Sequence, residues 1–574
     1  MGTASRVRRG AVEGGGLSQR AVLRRAITGQ RRDITVASLL GAAHQTAEAL
    51  IPVLIGLVID RGVADGDGSG LLLGIAALGL VYLGLSFSFR FGARAGERAA
   101  ETAAHRLRTE LTARILAPEG GAGTGRLPGE LAAVATQDAK RVGAVNLAVF
   151  VGVSALTGLL VGAVVLLRVS LLLGLVVLLG TPLLLWAGHL LSKPLERRSG
   201  AEQERAAHAS GVAADLVAGL RVLKGIGAEP YAVARYRDTS RASLAATLVA
   251  ARAHAWQGGI VLALTGMFIA LVALVGGRLA ARGDITLGEL VSAAGLALFL
   301  LGPLSVFSWV NAELAQGRAS AARIAAVLTA DADVVPGTAA PRRPVEGRIR
   351  LRRLSYGTLR DLDVEFEPGG ITGVAATDPA DAAALLRCLA RHGDPDSGSV
   401  ELDGVDLTAL DPVDIRTAVL VAEHDADLFE GTLHANVAAA ASGGDIRAAM
   451  AAAGADEVAR ALPRGGDTEI TERGRSLSGG QRQRVALARA LAADSPVLVV
   501  HDPVTAVDAV TEARIAGGIR ELRRGRTTIM VTTSPALLAV TDRVVLVEGG
   551  RVTGSATHGD LVRDSAGYRT AVLS

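Results

Sequence analysis

Six nearly charge-free apolar runs mark the first half of the chain, at 34–59, 71–89, 146–167, 171–192, 258–279 and 285–307. Each has about the twenty residues that a helix needs to cross ~30 Å of hydrocarbon. The pattern predicts a six-helix, all-α membrane domain over 34–328. Short connections at 60–70, 168–170 and 280–284 alternate with long, arginine-rich ones at 90–145 and 193–257. Positive charge collects on the cytoplasmic side, so the long connections are expected there. They carry helical apolar spacing, and roughly 27 residues each way at ~1.5 Å per residue would extend paired helices ~40 Å beyond the bilayer.

The pattern changes after Thr329. Residues 329–346 hold Pro336, Pro341 and Pro344 among Ala, Asp and Gly, the composition of a linker. From 347 to 574 short β-branched runs (371–375, 419–422, 497–500, 528–531, 544–547) alternate with helical segments, predicting an α/β domain with buried strands.

Composition agrees with this division. Half of the 574 residues are apolar, 70 are Gly and only 3% are aromatic, as in membrane helices that pack through small side chains. The net charge of +4 comes without any basic run interleaved with aromatics, which argues against a nucleic-acid partner. The single Cys388 cannot form an intrachain disulfide and reads as core. Residues 1–33 are arginine-rich without a small-residue cleavage site, so a cytoplasmic N-terminal segment is expected rather than a signal peptide.

The most informative stretch is Leu477-Ser478-Gly479-Gly480-Gln481, followed by an apolar helix, because Ser and Gly at a helix N-terminus suit phosphate. The whole run LSGGQRQRVALARAL and the strand behind it resemble the signature region of ATP-binding-cassette proteins. Residues 468–474, with Glu472, resemble the loop that precedes the signature in exporters of that family. Residues 219–229, with Arg221, resemble their second coupling-helix region, and residues 284–290 the entry to their sixth helix. The resemblance covers almost the whole chain. It implies a half-transporter, a transmembrane domain fused to a P-loop-like α/β nucleotide-binding domain, in a bacterial plasma membrane with both termini cytoplasmic.

The family pattern fails where phosphate chemistry is concentrated. In place of the phosphate loop G-x-x-x-x-G-K-[ST] stand Ala376, Thr377, Asp378, Pro379, Ala380, Asp381, Ala382 and Ala383. That loop binds triphosphate through backbone N–H groups and a lysine; Pro379 removes a donor, and two carboxylates add negative charge. His501 and Asp502 stand where the resemblance places an Mg²⁺-holding Asp and a catalytic Glu. His424 replaces the Gln between subdomains, Thr533 the switch His, and no aromatic follows two residues after Tyr356. His501 and His424 are either tolerated polar residues or have a new metal or sensor role, and no metal-ligand spacing connects them.

In this family two nucleotide domains pair head to tail, each ATP lying between one phosphate loop and the opposite signature. The resemblance then implies that Ser478, Gly479, Gly480 and Gln481, with Asp508 in the interface-crossing loop 505–508, serve ATP and Mg²⁺ held by a second half-transporter with intact motifs. Within the bilayer His44 and Glu48 share one helical face at a separation of four, and are either cavity residues or a pair locking helices together. Trp256, Trp309 and Asn311 read as interfacial anchors. Export of a lipid, peptide or secondary metabolite is expected; siderophore uptake through the same fold and a non-transporting scaffold role stand as alternatives.

Overall fold

The computed structural model describes residues 18–424, 427–441 and 446–573. The first half of the expected N-terminal segment, residues 1–17, lies outside them. The chain divides into two compact units, one formed by 18–112 and 128–329, the other by 113–127 and 330–573. The second unit therefore takes in twelve residues of loop, and their flanks, from the first long connection.

In the first unit the helices are α1 (Gln19–Thr28), α2 (Arg31–Val58), α3 (Gly68–Ile115), α4 (Pro128–Ala133), α5 (Ala139–Val169), α6 (Leu171–Ala218), α7 (Leu220–Gly225), α8 (Glu229–Arg282) and α9 (Leu287–Leu328). A π-helical turn, Ile59–Ala64, ends α2, and another, Val134–Asp138, joins α4 to α5. Among the described residues four stretches are long and apolar enough to cross a membrane: α3, Pro128–Val169, α8 and α9. The α2 helix, which holds His44, Gln45 and Glu48, does not reach that threshold. The long helices continue well past their apolar runs; α3 alone measures ~72 Å at 1.5 Å per residue.

Helices α2, α5, α6, α8 and α9 pack around Ala49, Leu166, Leu173, Val272, Leu296 and Leu300, all buried. One end of the bundle is clipped by Asp60, whose carboxylate accepts the Thr286 hydroxyl at 2.6 Å and the Gly288 N–H at 2.8 Å. Thr286 also caps α9, and Glu289 reaches back to its N–H, so the residues 284–290 form a capping box. Farther along, buried Asp138 accepts Arg323 Nε at 2.7 Å, Arg323 Nη2 at 2.5 Å and Ser320 Oγ at 2.8 Å, joining the π turn to α9.

The second unit contains strands β1 (Ile349–Tyr356), β2 (Leu359–Phe366), β3 (Ile371–Ala376), β4 (Ser397–Leu402), β5 (Val405–Asp406), β6 (Val419–Ala422), β7 (Gly431–Thr432), β8 (Glu469–Ile470), β9 (Val497–His501), β10 (Thr527–Val531), β11 (Arg543–Glu548) and β12 (Arg551–Ala556). The helices that matter for the site are α10 (Pro379–Leu389), α11 (Gly479–Ala492) and α12 (Ala509–Leu522). The order β12-β11-β3-β10-β9-β6 makes a six-stranded sheet, parallel except for its β12 edge, and β2-β1-β4-β5 a smaller antiparallel one. Both faces of β9 and β10 are buried, as their unbroken Val, Ile and Leu runs require.

The linker is not slack. Asp333 accepts the Gly121 N–H at 2.6 Å and the Thr124 hydroxyl at 2.9 Å, while Arg114 donates to Gly120 O and Ala330 O. Gly121 sits at φ +85°, and a Cβ there would overlap the Asp331 carbonyl, so only glycine fits. Arg416 donates to Pro118 O at 2.8 Å.

Candidate nucleotide site

Parallel register sets the site. Val531 lies opposite His501 and Val374, and Ala422 opposite Val500, so the carboxyl ends of β3, β6, β9 and β10 share one edge. In open α/β sheets that edge is where ligands bind. It gathers the segment 376–383, His424, His501, Asp502 and Thr533 at one place.

The turn after β3 spends its backbone donors internally. Thr377 N donates to Val547 O at 3.1 Å, Ala380 N to Asp378 Oδ1 at 2.8 Å, and Asp381 N to Asp378 O at 3.0 Å. Asp378 is the N-cap of α10 and Pro379 its first residue, a combination that starts a helix without needing an anion. Asp381 is buried, 3% exposed, and accepts the Gly550 N–H at 2.9 Å from the β11–β12 turn. Ala382 and Ala383 bring no hydroxyl.

Around Asp502 the contacts are also internal. Its Oδ1 accepts the Thr532 hydroxyl at 2.7 Å, its carbonyl lies 2.9 Å from His424 Nδ1, and its backbone is left-handed at φ +40°. Its Oδ2 lies 3.8 Å from His501 Nε2, and the His424 and His501 rings meet edge to face at 6.1 Å. Burial holds the His501 imidazole below its ordinary value against the pull of Asp502, so it is neutral at neutral pH. Among the described residues no cluster of three His, Cys, Asp or Glu could hold a metal. These residues do not fit Mg²⁺ with a triphosphate: the carboxylates of Asp378, Asp381 and Asp502 are engaged in internal hydrogen bonds and add negative charge where phosphate would lie, and the N–H groups of the turn are taken.

The signature segment is differently built. Ser478 caps α11: its hydroxyl accepts Gln481 N at 3.3 Å, and Gln481 Oε1 accepts Ser478 N at 2.9 Å. A Cβ on Gly480 would overlap the Ala506 carbonyl, which explains the glycine by close approach. Gln483 ties α11 to the loop 505–508, donating to Thr505 Oγ1 and accepting Ala506 N, both at 3.0 Å. Asp508 caps α12 through the N–H groups of Val510 and Thr511, which lowers its carboxyl below the usual range.

The remaining expected residues fall elsewhere. Glu472 lies in a short turn before α11, and Arg221 lies exposed on α7. His44 and Glu48 do meet, with Nε2 and Oε2 at 3.7 Å. Sequence reasoning missed Gly550, Gln483 and Asp333; only the Gly549-Gly550 pair, at φ +58° and +77°, left a trace as a turn signal.

Comparison with known proteins agrees with this architecture. Residues 34–304 match the ABC transporter transmembrane region and residues 359–505 the ABC transporter family model. The chain is 30% identical over 387 residues to the ATP-dependent lipid A-core flippase of Thiobacillus denitrificans, covering 66% of this chain and 67% of that protein. It is 31% identical over 557 residues to a multidrug efflux ATP-binding/permease protein of Mycobacterium tuberculosis, covering 94% of this chain and 46% of the relative, so it spans about half of that protein's length. The fold of a bacterial Atm1-family ABC exporter with ATP bound superposes with a TM-score of 0.73 at 24% identity, over 96% of this chain and 98% of the other. The chain belongs to the ABC transporter family, as a half-transporter in which a helical transmembrane domain of exporter fold is fused to a nucleotide-binding domain.

Proposed function

We propose that this chain is one subunit of a heterodimeric, ATP-driven exporter that contributes its signature segment to an ATP site whose phosphate loop, Mg²⁺ ligands and catalytic Glu belong to a partner half-transporter. The observation that carries the reading is Asp381: a buried carboxylate, already bonded to Gly550, occupies the place of the phosphate loop's second glycine, and Ala382 that of its lysine. Losing the lysine and hydroxyl forfeits charge-assisted bonds of roughly 1.5–3 kcal/mol each, two or more orders of magnitude in affinity. A pair of identical chains would then contain no competent site. By contrast the capping box at Ser478 and the clearance at Gly479, where a Cβ would meet nothing nearer than Ala506 at 3.6 Å, favour a retained role in trans.

In this reading six spans cross the plasma membrane, both termini and the long connections are cytoplasmic, and closure of the nucleotide domains drives a two-state change of access. The relatives' names, a lipid A-core flippase and a multidrug efflux protein, favour an amphiphilic cargo. Co-expression with a half-transporter bearing an intact G-x-x-x-x-G-K-[ST] loop tests the proposal. ATPase of the pair is expected to fall about tenfold or more on Ser478→Arg or Gly479→Glu in this chain. Unchanged turnover, or ATPase from this chain purified alone, would refute it.

A further inference from the structure

Inside the apolar run of α2 three polar side chains converge. His44 Nδ1 lies 3.1 Å from the Leu85 carbonyl on α3. A carbonyl only accepts, so Nδ1 donates to it, and in that singly protonated tautomer Nε2 is the acceptor of the ring. That nitrogen faces Glu48 Oε2 at 3.7 Å, beyond a direct hydrogen bond. Oε2 takes one N–H from Gln45 Nε2 at 3.1 Å. Among the described residues His44 is the one basic side chain within ion-pair distance of this carboxylate.

The arrangement places a ring nitrogen and a carboxylate oxygen opposite each other, without a hydrogen bond between them, in a hydrophobic segment. Glu48 keeps 43% of its side chain exposed, and an ionised carboxylate turned to hydrocarbon costs ~2.5 kcal/mol or more. Its open side therefore belongs on an aqueous path between helices. An ammonium group answers all three features: it is positive, it has several N–H donors, and one nitrogen reaches two acceptors 3.7 Å apart with bonds of about 2.8–3.0 Å. Beside the cluster Phe89 meets the His44 ring at 5.3 Å and is 56% exposed, one helical turn from Leu85. It offers an apolar face next to the polar one.

We propose that His44, Gln45 and Glu48 form a binding site for the ammonium headgroup of an amphiphilic primary amine, with Phe89 receiving the first part of its apolar chain. This rests on the exporter reading and names its substrate class, but binding at the site requires neither ATP nor the partner.

The test uses the full chain in phosphatidylcholine nanodiscs, with empty nanodiscs as baseline. A fluorescent long-chain primary alkylamine is displaced by dodecylamine, dodecyltrimethylammonium or dodecanol. Dodecylamine is expected to compete about tenfold better than the other two, because only it combines charge with N–H donors. Glu48→Gln should weaken its binding about tenfold or more, whereas Glu48→Asp, which keeps the charge and guards against misfolding, should retain part of it. Equal competition by the three compounds, or affinity unchanged in a folded Glu48→Gln, would overturn the site. So would absence of amine binding by the unmodified chain, which would leave His44 and Glu48 as a pair locking helices together. None of these outcomes touches the heterodimer reading, which stands or falls on the ATPase of the Ser478 variant.

Discussion

Replacing Asp381 with lysine, the charge its family carries one position later where Ala382 stands, is expected to destabilise the nucleotide domain without creating an ATP site. Asp381 is 3% exposed and accepts the Gly550 N–H at 2.9 Å. Removing the carboxylate forfeits a charge-assisted bond and strands a buried donor, about 1.5–3 kcal/mol. An ammonium in the same enclosed place adds desolvation that nothing nearby repays, so the total reaches about 3 kcal/mol or more. That is a large share of the ~5–15 kcal/mol of an ordinary domain. Binding gains little in return, since the N–H groups of Thr377, Ala380 and Asp381 still point at Val547 O and Asp378. With affinity weaker than about 10 mM, about 5 mM Mg·ATP stabilises the folded state by less than about 0.3 kcal/mol, against ~2.7 kcal/mol for a ligand at a hundredfold its Kd. Thermal unfolding of the full chain, with and without Mg·ATP, measures both terms. A nucleotide-dependent stabilisation above about 1 kcal/mol in Asp381→Lys alone would show that the turn already has the shape of a phosphate cradle, and the reasoning would fail.

Three further outcomes follow from other contacts. Asp138→Asn should destabilise the helical unit by about 2–4 kcal/mol, and a double-mutant cycle with Arg323→Gln should return a coupling of about 1–3 kcal/mol in chemical unfolding, because the pair is buried on the Asp138 side and doubly bonded; simple additivity would contradict this. Asp333→Ala should raise amide exchange in 119–125 by about tenfold or more, since Gly121 and Thr124 lose their shared acceptor; unchanged protection would mean that the backbone bond from residue 333 N to Glu119 O and the Arg114 bonds suffice. Burial pushes the Cys388 thiol up to about 12, so it stays protonated throughout the physiological range and should resist maleimide in the folded chain while reacting promptly in denaturant; fast native labelling would place it outside the core.

Local pattern carried much of the architecture. The apolar runs announced the long helices, because burying or inserting twenty apolar residues leaves few alternatives to a helix. The β-branched runs at 497–500 and 528–531 announced β9 and β10 for a similar reason. The signature was legible as Ser-Gly-Gly-Gln before a helix, and the structure gives it the capping box that its spacing implies. Helix extent was less legible: α3 runs to Ile115, far past Phe89, on alanines and charges that periodicity alone marks only as helical.

What the sequence determined by itself were the properties that depend on residue type and short spacing: two units of different solvent preference, a helix start suited to phosphate, and the loss of lysine and glycines from the loop after β3. What only the tertiary structure decided were the partners of isolated polar groups. Asp381 finds Gly550 169 positions away, Asp333 finds Gly121 212 positions away, and Asp60 finds Gly288 228 positions away. A carboxylate's role is set by which donor the folded chain brings within 3 Å, and that donor is chosen by the packing of the whole domain rather than by its neighbours in sequence.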